Sequence, residues 1–477
     1  MPSKAILELG PEFYDSVKPA DFPKAIPRFL NREWATRVGL ELDEAGWVKH
    51  FARFKPLEGS LPEPLALRYH GHQFRTYNKD LGDGRGFLFA QLKDDRGRLL
   101  DFGTKGSGQT PWSRRGDGRL TLKGAMREAL ATEMLESLGV NTSKTFSFFE
   151  TGEALERNDE PSPTRAAVLT RLSHSHVRYG TFQRLAFFQK KEEIAKLVYY
   201  CCQHFFPGVL ELEPSKRTAA FMKEVTIGAA KLCASWMMAG FVHGVLNSDN
   251  MNVTGESFDY GPYRFLPKYD PQFTAAYFDE TGLYAYGNQP ESVIWNLERL
   301  AECLLLISDE ESMIEALGHF APNFNDEAAI RFRDRLGLAS VPPISPGNTD
   351  TRTLGAEEDL TLAGVQLLAA SQVTFEQFFH DWFGGDLSRT RALVSPESKG
   401  YIGPAYEKFI GAIRDWPAAP GVADKLKDPY FSRPKPCSLL IDEIEAIWSP
   451  IAEKDDWSLF EKKIDDIRLM GRVHGRR

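Results

Sequence analysis

A long helical pattern that runs straight into a polar loop constrains this chain more than any other stretch. The helix is predicted from about Ser215 to Gly240, and its small residues would allow close packing in a core. Residues 243–261, HGVLNSDNMNVTGESFDYG, follow at once. Asn250 and Asp259 in this segment are potential metal ligands, because amide and carboxylate oxygens bind hard cations. The fold must therefore present a metal-binding loop at the end of a buried helix.

This layout is that of a protein-kinase catalytic loop, H-R-D-x-x-x-x-N, followed by the metal-binding tripeptide D-F-G. His243 takes the His position, Asn250 the Asn position and Asp259 the position of the metal-binding Asp. Val245 falls where the catalytic Asp is expected, and a valine cannot accept a proton. Asp249 is the nearby carboxylate that could replace it. Ordinary kinase catalysis is therefore not what this loop predicts.

The stretch before the long helix has the pattern of an antiparallel sheet with functional loops. Short apolar runs, residues 87–92 and 99–102, are separated by turns rich in glycine. The turn at residues 82–86, GDGRG, lies just before the first run. Glycines let backbone amides approach a phosphate closely, and Arg85 adds positive charge, so a nucleotide-covering loop is one interpretation. Taken alone, an ordinary hairpin turn is the simpler one.

A strand lysine and a helix glutamate follow in the order that a kinase needs. Lys105 follows the second apolar run after Gly103 and Thr104, and a helix is predicted over residues 123–139. Glu128 falls on the helix face away from the apolar stripe. In kinases such a Glu holds the phosphate-binding Lys in place, whereas the alternative is two solvated side chains. The D-F-G at residues 101–103 precedes both, so we interpret it as the end of a strand.

Further strand patterns lead to the segment LTRLSHSHVRYGTFQR, in which Arg171 and Arg178 flank His174 and His176. Two histidines at i and i+2 could ligate a metal, but no third ligand lies nearby in the sequence. Hydrogen-bonded or hinge histidines are favoured over metal ligands. Arginines at the change from strands to helices suit a gap between two lobes where a triphosphate would lie.

Helical patterns dominate the rest of the chain. Helices are predicted at about residues 185–206, 288–307 and 375–383. Pro, Ser, Gly and Thr gather over residues 341–359, which predicts a linker or a long loop.

Composition limits the compartment and the partners. The chain has 477 residues, of which 42% are hydrophobic and 26% charged, as in an ordinary globular protein. A net charge of -8 gives no bulk attraction to nucleic acid or to an anionic membrane. No stretch approaches the roughly 18 apolar residues that cross a bilayer, and the amino terminus resembles neither a secretory signal nor a transit peptide. The five cysteines lack zinc spacing and predict buried thiols. We expect a cytoplasmic protein without nucleic-acid or membrane partners.

In their order along the chain, these motifs closely resemble the selenoprotein O family, known in bacteria as YdiU. The matching stretches span roughly residues 66–300 and are YHGHQF, GDGRG, FGTKGSGQTPWSRRGDGR, LTRLSHSHVRYGTF, HGVLNSDNM, FDYGPY and YGNQPESVIWNL. The resemblance implies an α+β, protein-kinase-like two-lobed fold with a small β-rich N-lobe and a helical C-lobe. The expected divisions are 1–180 for a leader plus the N-lobe, 181–340 for the C-lobe, and 341–477 for a linker and a helical C-terminal extension.

The resemblance also implies that ATP binds in a reversed orientation and that AMP, rather than the γ-phosphate, is transferred to a protein hydroxyl of Ser, Thr or Tyr. Glu128 would pair with Lys105, and Asp249 would accept the proton. Asn250 and Asp259 would bind Mg²⁺, with Mn²⁺ as the alternative. The positions implied to contact the nucleotide are Gly82, Gly84, Arg85, Lys105, Asp117, Gly118, Arg171, Arg178 and Asp259.

The chemistry of these residue types agrees with that assignment. Attack at the α-phosphorus requires stabilisation of the charge on the leaving pyrophosphate, which Lys105, the arginines and a metal could supply. Base assistance is typically worth about 10²–10⁴-fold, so loss of the metal ligand Asp259 is predicted to be more damaging than loss of Asp249. Three alternatives stay open: transfer of UMP from UTP, ordinary phosphorylation, and a catalytically silent nucleotide-binding pseudokinase that acts as a scaffold. The last cysteine is Cys437, whereas the family commonly carries a selenocysteine or cysteine near the C-terminus, so no redox role is expected there.

Overall fold

The strands lie mostly in the first 173 residues and build one large antiparallel sheet. The computed structural model describes residues 1–158, 160–340 and 351–476. Its strands are β1 (Pro2–Ser3), β2 (Tyr14–Ser16), β3 (Ile26–Leu30), β4 (Leu65–Leu67), β5 (Gly71–Gln73), β6 (Thr76–Asn78), β7 (Leu88–Lys93), β8 (Leu99–Lys105), β9 (Leu120–Thr121), β10 (Lys144–Leu155), β11 (Thr164–Ser173), β12 (Phe241–Val242) and β13 (Arg264–Phe265). The main sheet has the order β2-β4-β7-β8-β11-β10-β3, with β1 added to β7 and β9 to β11. Separate two-stranded pairs are β5-β6 and β12-β13.

The helices account for most of the chain after Ser173. They are α1 (Arg32–Arg37), α2 (Glu44–Phe51), α3 (Leu122–Ser137), α4 (Tyr179–Phe187), α5 (Lys191–His204), α6 (Pro207–Leu210), α7 (Pro214–Met238), α8 (Gln289–Leu304), α9 (Glu310–Leu317), α10 (Phe320–Arg335), α11 (Thr351–Ser371), α12 (Phe375–Asp381), α13 (Arg389–Leu393), α14 (Pro404–Ile413), α15 (Val422–Lys425), α16 (Ile441–Lys454) and α17 (Ser458–His474). Across the described residues, no helix combines the length and the apolar character that a membrane crossing requires.

The central strand β8 is buried along its whole length because helices cover both faces of the sheet. On one face, Phe51 of α2 packs against Phe102 of β8 and Phe146 of β10. On the other face, the apolar residues of α3 belong to the same core as Leu169 of β11. A strand covered on both faces is a rigid mount for a side chain at its end. Lys105 is the last residue of β8.

The last two helices return to the amino-terminal sheet. Phe460 of α17 packs edge-on against Phe29 and Phe148 of the sheet, with ring centroids about 6 Å apart. Arg468 of α17 forms an ion pair with Glu133 of α3 at 2.8 Å. The carboxyl-terminal segment therefore holds α3 against the sheet from outside.

Four helices that the sequence predicts are confirmed, among them α8 (Gln289–Leu304) for residues 288–307 and α12 (Phe375–Asp381) for residues 375–383. The helix expected over residues 123–139 is α3, with Gly139 following it at a φ of +80°. The long helix expected from Ser215 to Gly240 is α7.

The single helix predicted over residues 185–206 is wrong. The chain forms two helices there, α4 and α5, separated by a turn in which Gln189 has a φ of +55°. The two helices pack on different partners, since α4 contacts α8 and the β5-β6 hairpin whereas α5 contacts α6 and α7. Tertiary packing outweighed the continuous helical propensity of the segment.

Two boundary predictions also need correction. The D-F-G at residues 101–103 lies inside β8 rather than at the end of a strand. The predicted linker at residues 341–359 is partly wrong, because residues 351–359 belong to α11. Its first part, residues 341–350, lies outside the described residues. Leu360 and Ala363, which are buried in the core, extend the apolar pattern of α11 beyond the predicted linker.

Candidate active site

A buried lysine between two carboxylates forms the centre of the site. Lys105 Nζ lies 2.7 Å from Glu128 Oε2 of α3 and 2.7 Å from Asp259 Oδ1. The Lys105 side chain is 6% exposed and that of Glu128 1%, so the interpretation as two solvated side chains is wrong. Glu128 is buried although it lies off the apolar stripe, because α3 is enclosed by the sheet and by α17.

Asp259 carries the most strongly stabilised negative charge of the site. Its backbone has a φ of +63°, a left-handed conformation that non-glycine residues seldom adopt and that clusters at functional sites. Burial by itself would raise the pKa of Asp259, but the positive charges of Lys105, Arg171 and Arg178 hold it well below its usual range. The carboxylate is therefore ionised at neutral pH.

The loop after α7 carries a further acidic group of the cavity, Asp249. His243 Nε2 lies 3.0 Å from the carbonyl oxygen of Phe258, which ties the start of the loop to the residue before Asp259. Val245 and Asp249 both line the cavity, as the kinase comparison requires. Asp249 Oδ1 is buried without a hydrogen-bond partner among the described residues. Burial raises the pKa of Asp249 to about 6, although Arg178 opposes the shift.

The two predicted arginines occupy different positions around these carboxylates. Arg171 Nη1 lies 3.5 Å from Asp259 Oδ1 and is almost fully buried. Arg178 donates from Nη1 to the backbone oxygen of Asp249 at 2.8 Å, and its Nη2 lies 3.3 Å from Asp83 Oδ1. Arg178 thus positions the acidic loop as well as adding charge.

His174 and His176 lie in hydrogen-bonding surroundings. The backbone N–H of His176 donates to Asp101 at 2.9 Å, and that of His174 donates to Glu256 at 2.8 Å. Burial lowers the pKa of both imidazoles, so they are neutral at physiological pH. Arg171 Nε donates to His176 Nε2 at 3.4 Å, and no group of three His, Cys, Asp or Glu side chains among the described residues could hold a metal, which favours the hydrogen-bonded interpretation over the metal one.

Two loops from the sheet close the site over the cations. A Cβ on Gly82 would come within 2.4 Å of the Trp112 ring, and one on Gly84 within 2.8 Å of the Trp112 backbone oxygen. Glycine is required at both positions because the second loop packs directly on the first. Arg85, Asp117 and Gly118 also line the cavity. Asp117 is held from the side by Arg157 at 2.8 Å.

Several lining residues were missed from the sequence. Arg114 and Arg115 sit in the SRRGDGR run but carried no spacing signal, and both adopt left-handed φ angles of +46° and +72°. Arg157 comes from the polar loop after β10, where nothing local marks it. Further lining residues of this kind include Tyr69, Gln73, Asp83, Trp112, Arg119 and Asn247.

Together these elements enclose a cavity of about 750 Å³ with a strong excess of positive charge. Eight Lys and Arg side chains line it, against four Asp side chains. A cationic cleft with low-dielectric walls attracts and orients a polyphosphate. Every residue predicted as a nucleotide contact, as the base or as a metal ligand lines this cavity, and Glu128 reaches it through Lys105.

The donor set at Asn250 and Asp259 fits Mg²⁺. Asn250 donates from Nδ2 to the backbone oxygen of Val245 at 3.0 Å, and its Oδ1 has no hydrogen bond from the described residues, so this oxygen can bind a cation in the cavity. Among the described residues, no three His, Cys, Asp or Glu side chains converge as a metal cage. Mg²⁺ is usually held by one or two protein oxygens together with substrate phosphates and water, which matches this arrangement.

Comparison with known proteins gives the same match along nearly the whole chain. The family model described as "Protein adenylyltransferase SelO" matches residues 2–468. The protein nucleotidyltransferase YdiU of Trichormus variabilis is 40% identical over 98% of this chain and 95% of its own length. That of Synechocystis is 40% identical over 97% of both chains. That of Gloeobacter violaceus is 41% identical over 97% of this chain and 94% of its own.

Proposed function

The chain belongs to the SelO family of protein adenylyltransferases, and from this premise we propose that it transfers AMP from ATP to Ser, Thr or Tyr side chains of proteins. It is a nucleotidyltransferase, as the family and its relatives are named. The observation that carries the finer proposal is the position of Asp249. A carboxylate with one buried oxygen, Oδ1, unpaired among the described residues lines a cationic cavity whose kinase-type base position is occupied by Val245.

We propose that the chain has the two-lobed kinase-like arrangement. The sheet with α3 would form the small lobe (residues 1–180) and the helices from α4 to α10 the large one (181–340), with 341–477 as the extension. The supporting observation is the cavity itself, which takes residues from the sheet, from the loops of the first part and from the segment after α7.

The triphosphate would lie among the cations of the cavity. Lys105, Arg171 and Arg178 are pre-ordered by ion pairs and buried, so they need little rearrangement when charge develops on the leaving group. Gly82, Gly84 and Arg85 would cover the nucleotide from one side, and Asp117 and Gly118 from the loop that packs on them. Glu128 would act only through Lys105, which it holds in position.

The acceptor hydroxyl oxygen would attack the α-phosphorus of ATP. The bond from the α-phosphorus to the bridging oxygen breaks, pyrophosphate leaves, and the hydroxyl proton passes to Asp249. A carboxyl pKa of about 6 suits this role, because the group is mostly ionised at pH 7 yet basic enough to take a proton. Asn250 and Asp259 would hold Mg²⁺, or Mn²⁺ as the alternative. Such an ion neutralises phosphate charge and orients the reacting group.

The compartment belongs to the same proposal. All five cysteines are free and buried, as the sequence predicts. Free thiols fit a reducing compartment, and we propose that the enzyme acts in the cytoplasm.

The test is a pair of labelling reactions. The purified protein is incubated with Mg²⁺ and either α-labelled or γ-labelled ATP, beside an Asp259→Ala variant. We expect α-label on protein, lost in the variant, together with a mass increase of one AMP on the modified peptide. Label from the γ position alone would replace AMP transfer by phosphorylation. Label from α-labelled UTP but not ATP would assign transfer of UMP. Nucleotide binding without transfer of any label would indicate a silent scaffold.

A further inference from the structure

The motif YHGHQF contributes Tyr69 and Gln73 to the cavity lining but has no part in the transfer chemistry proposed above, and it builds a hairpin against the base-bearing loop. Its residues Gly71–Gln73 form β5, which pairs with β6. A Cβ added to Gly71 would lie 3.1 Å from both Cβ and Oδ1 of Asp249. The hairpin therefore begins in direct contact with the proposed base, and Gln73 lines the same cavity.

Three hydrogen bonds fasten one strand of the hairpin to the loop. The His72 backbone N–H donates to Ser248 Oγ at 2.7 Å, and Ser248 Oγ donates to Gln183 Oε1 at 2.6 Å. Gln183 Nε2 closes the ring with His72 Nδ1 at 2.8 Å. This closed polar triangle makes the hairpin a pre-ordered wall beside Asp249 rather than a loose flap.

The hairpin tip is attached to the same loop through Asn247. Asn247 Oδ1 accepts from the backbone N–H of Phe74 at 3.1 Å and from the hydroxyl of Tyr284 at 2.9 Å. The two tip residues, Phe74 and Arg75, have φ angles of +49° and +61°. Asn and Gly are the residues that such a tight turn prefers, so two bulky side chains are held there at a conformational cost.

The tip carries an exposed aromatic patch. The Phe74 ring lies 5.9 Å from that of Phe278, which lies 5.2 Å from that of Tyr277. Phe74 is 36% exposed, Phe278 47% and Tyr277 85%. Contiguous exposed aromatic rings of this kind mark interaction sites more often than isolated ones. We call Phe74, Tyr277 and Phe278 the aromatic patch.

We propose that this hairpin and the aromatic patch dock the acceptor protein, and that the patch binds an apolar side chain about two to four residues from the modified hydroxyl. The proposal rests on the proposed function, in which a protein hydroxyl must reach Asp249 while the nucleotide occupies the cationic walls. Asn247, two residues before Asp249, lines the cavity and accepts from the backbone N–H of Phe74, so the patch lies next to the cavity. An extended acceptor segment advances about 3.3 Å per residue, so a neighbouring side chain reaches the patch when the hydroxyl is at the base.

The first experiment uses the full chain, α-labelled ATP and Mg²⁺ with a positional-scanning peptide library that has a fixed central Ser, Thr or Tyr. We expect Phe, Leu or Ile to be preferred at one position two to four residues from the centre. Labelling without any positional preference for apolar residues would overturn the docking proposal and leave the proposed function standing. Absence of α-label on every peptide and protein would overturn both.

The second experiment removes the patch with Phe74→Asn, Tyr277→Ser and Phe278→Ser together. Asn tolerates the left-handed backbone at position 74, and the other two side chains are exposed. We expect KM for the best peptide to rise at least about tenfold, with KM for ATP and kcat at saturating peptide unchanged. Tyr199→Ser is the matched control, because Tyr199 is an exposed aromatic on α5 outside the cavity.

Two results of the second experiment would overturn the proposal. One is an unchanged KM and an unchanged residue preference in the triple variant. The other is that the wild type is a dimer and the triple variant a monomer, while KM for the peptide is the same in both. The patch would then be a contact between copies of the chain.

Discussion

Two charged networks flank strand β11 of the amino-terminal sheet, around Lys105 of β8 and around Glu150 of β10, and they differ in how completely their polar atoms are paired. Around Lys105, Glu128 Oε1 and Arg171 Nη1 are buried without hydrogen bonds and lie 3.8 Å apart. Around Glu150, both carboxylate oxygens accept bonds, from Arg165 at 2.8 Å and 2.6 Å and from Arg28 at 2.9 Å. We call the group around Lys105 the cavity network and the group around Glu150 the structural network.

The structural network joins the sheet to the carboxyl-terminal helices. Asp455, just after α16, lies 2.6 Å from Arg165 and 2.9 Å from Arg28. Every ion-pair partner named in this network is a side chain of the protein, so the network is expected to stabilise the fold rather than to bind a ligand. The cavity network keeps donors and acceptors unused, which is costly in the free protein and is expected where a charged ligand supplies the missing partners. The unpaired charges of the cavity network therefore serve ligand binding, whereas the paired charges of the structural network hold the carboxyl-terminal helices on the sheet.

The largest expected effect is loss of transfer on Asp259→Ala in the cavity network. The substitution removes a proposed metal ligand and the counter-charge of Lys105, so kcat/KM should fall by more than in Asp249→Ala. The measurement is initial-rate transfer of α-label under matched conditions, with folding checked by circular dichroism. Greater damage from Asp249→Ala than from Asp259→Ala would contradict the predicted order of the two residues.

The next effect concerns the base. Asp249→Asn should lower kcat by about 10²–10⁴-fold with little change in KM for ATP. Wild-type activity should decline as pH falls through about 6, because protonated Asp249 cannot accept the hydroxyl proton. The residual activity of the variant should lack this acidic limb. A limb near pH 6 that persists in Asp249→Asn would assign the titration to another group.

In the structural network, Glu150→Gln should destabilise the protein while leaving the rate of AMP transfer per folded molecule unchanged. The substitution removes charge from hydrogen bonds to two arginines, which is worth about 2–3 kcal/mol. Urea unfolding and transfer assays on the same preparation measure the two quantities. Loss of transfer activity in Glu150→Gln without a lower free energy of unfolding would contradict the assignment of this network to stability.

The smallest effect is a pH-dependent one at Asp455. Burial opposes the shift, but hydrogen bonds from Arg165, Trp457 and Arg28 lower the pKa of Asp455 to about 2. A depressed folded pKa contributes stability above the unfolded value of about 3.9 and loses it as pH falls towards 2. The stability difference between wild type and Asp455→Asn should therefore be constant from pH 8 to about 5 and shrink below about 4.

The measurement is urea unfolding across that pH range, and Glu58→Gln serves as the control because Glu58 is an exposed carboxylate. A difference that grows on acidification would refute the linkage. At neutral pH the difference should stay within about 1 kcal/mol, because Asp455 is half exposed.

Local patterns alone predicted the parts of the site that depend on short spacing. Windows of some 20 residues are enough to recognise these parts. They are the apolar period of α3 and α7, the loop from His243 to Asn250, and the order of Lys105 before Glu128. Even so, the pairing of Lys105 with Glu128 was one of two interpretations, since periodicity does not say which face of α3 meets the sheet. The break at Gln189 shows the same limit, because two helices were separated by their packing partners rather than by a local breaker.

By itself, the sequence determined the family, the order of the functional segments and the residue types that line the site. Tertiary structure decided which distant segments meet: Arg157 with Asp117, the hairpin with Asn247 and Ser248, and α17 with α3. Those contacts join residues 40 to more than 300 positions apart. They follow from how whole faces of the sheet and helices bury apolar surface together, and no local period of side chains encodes that choice.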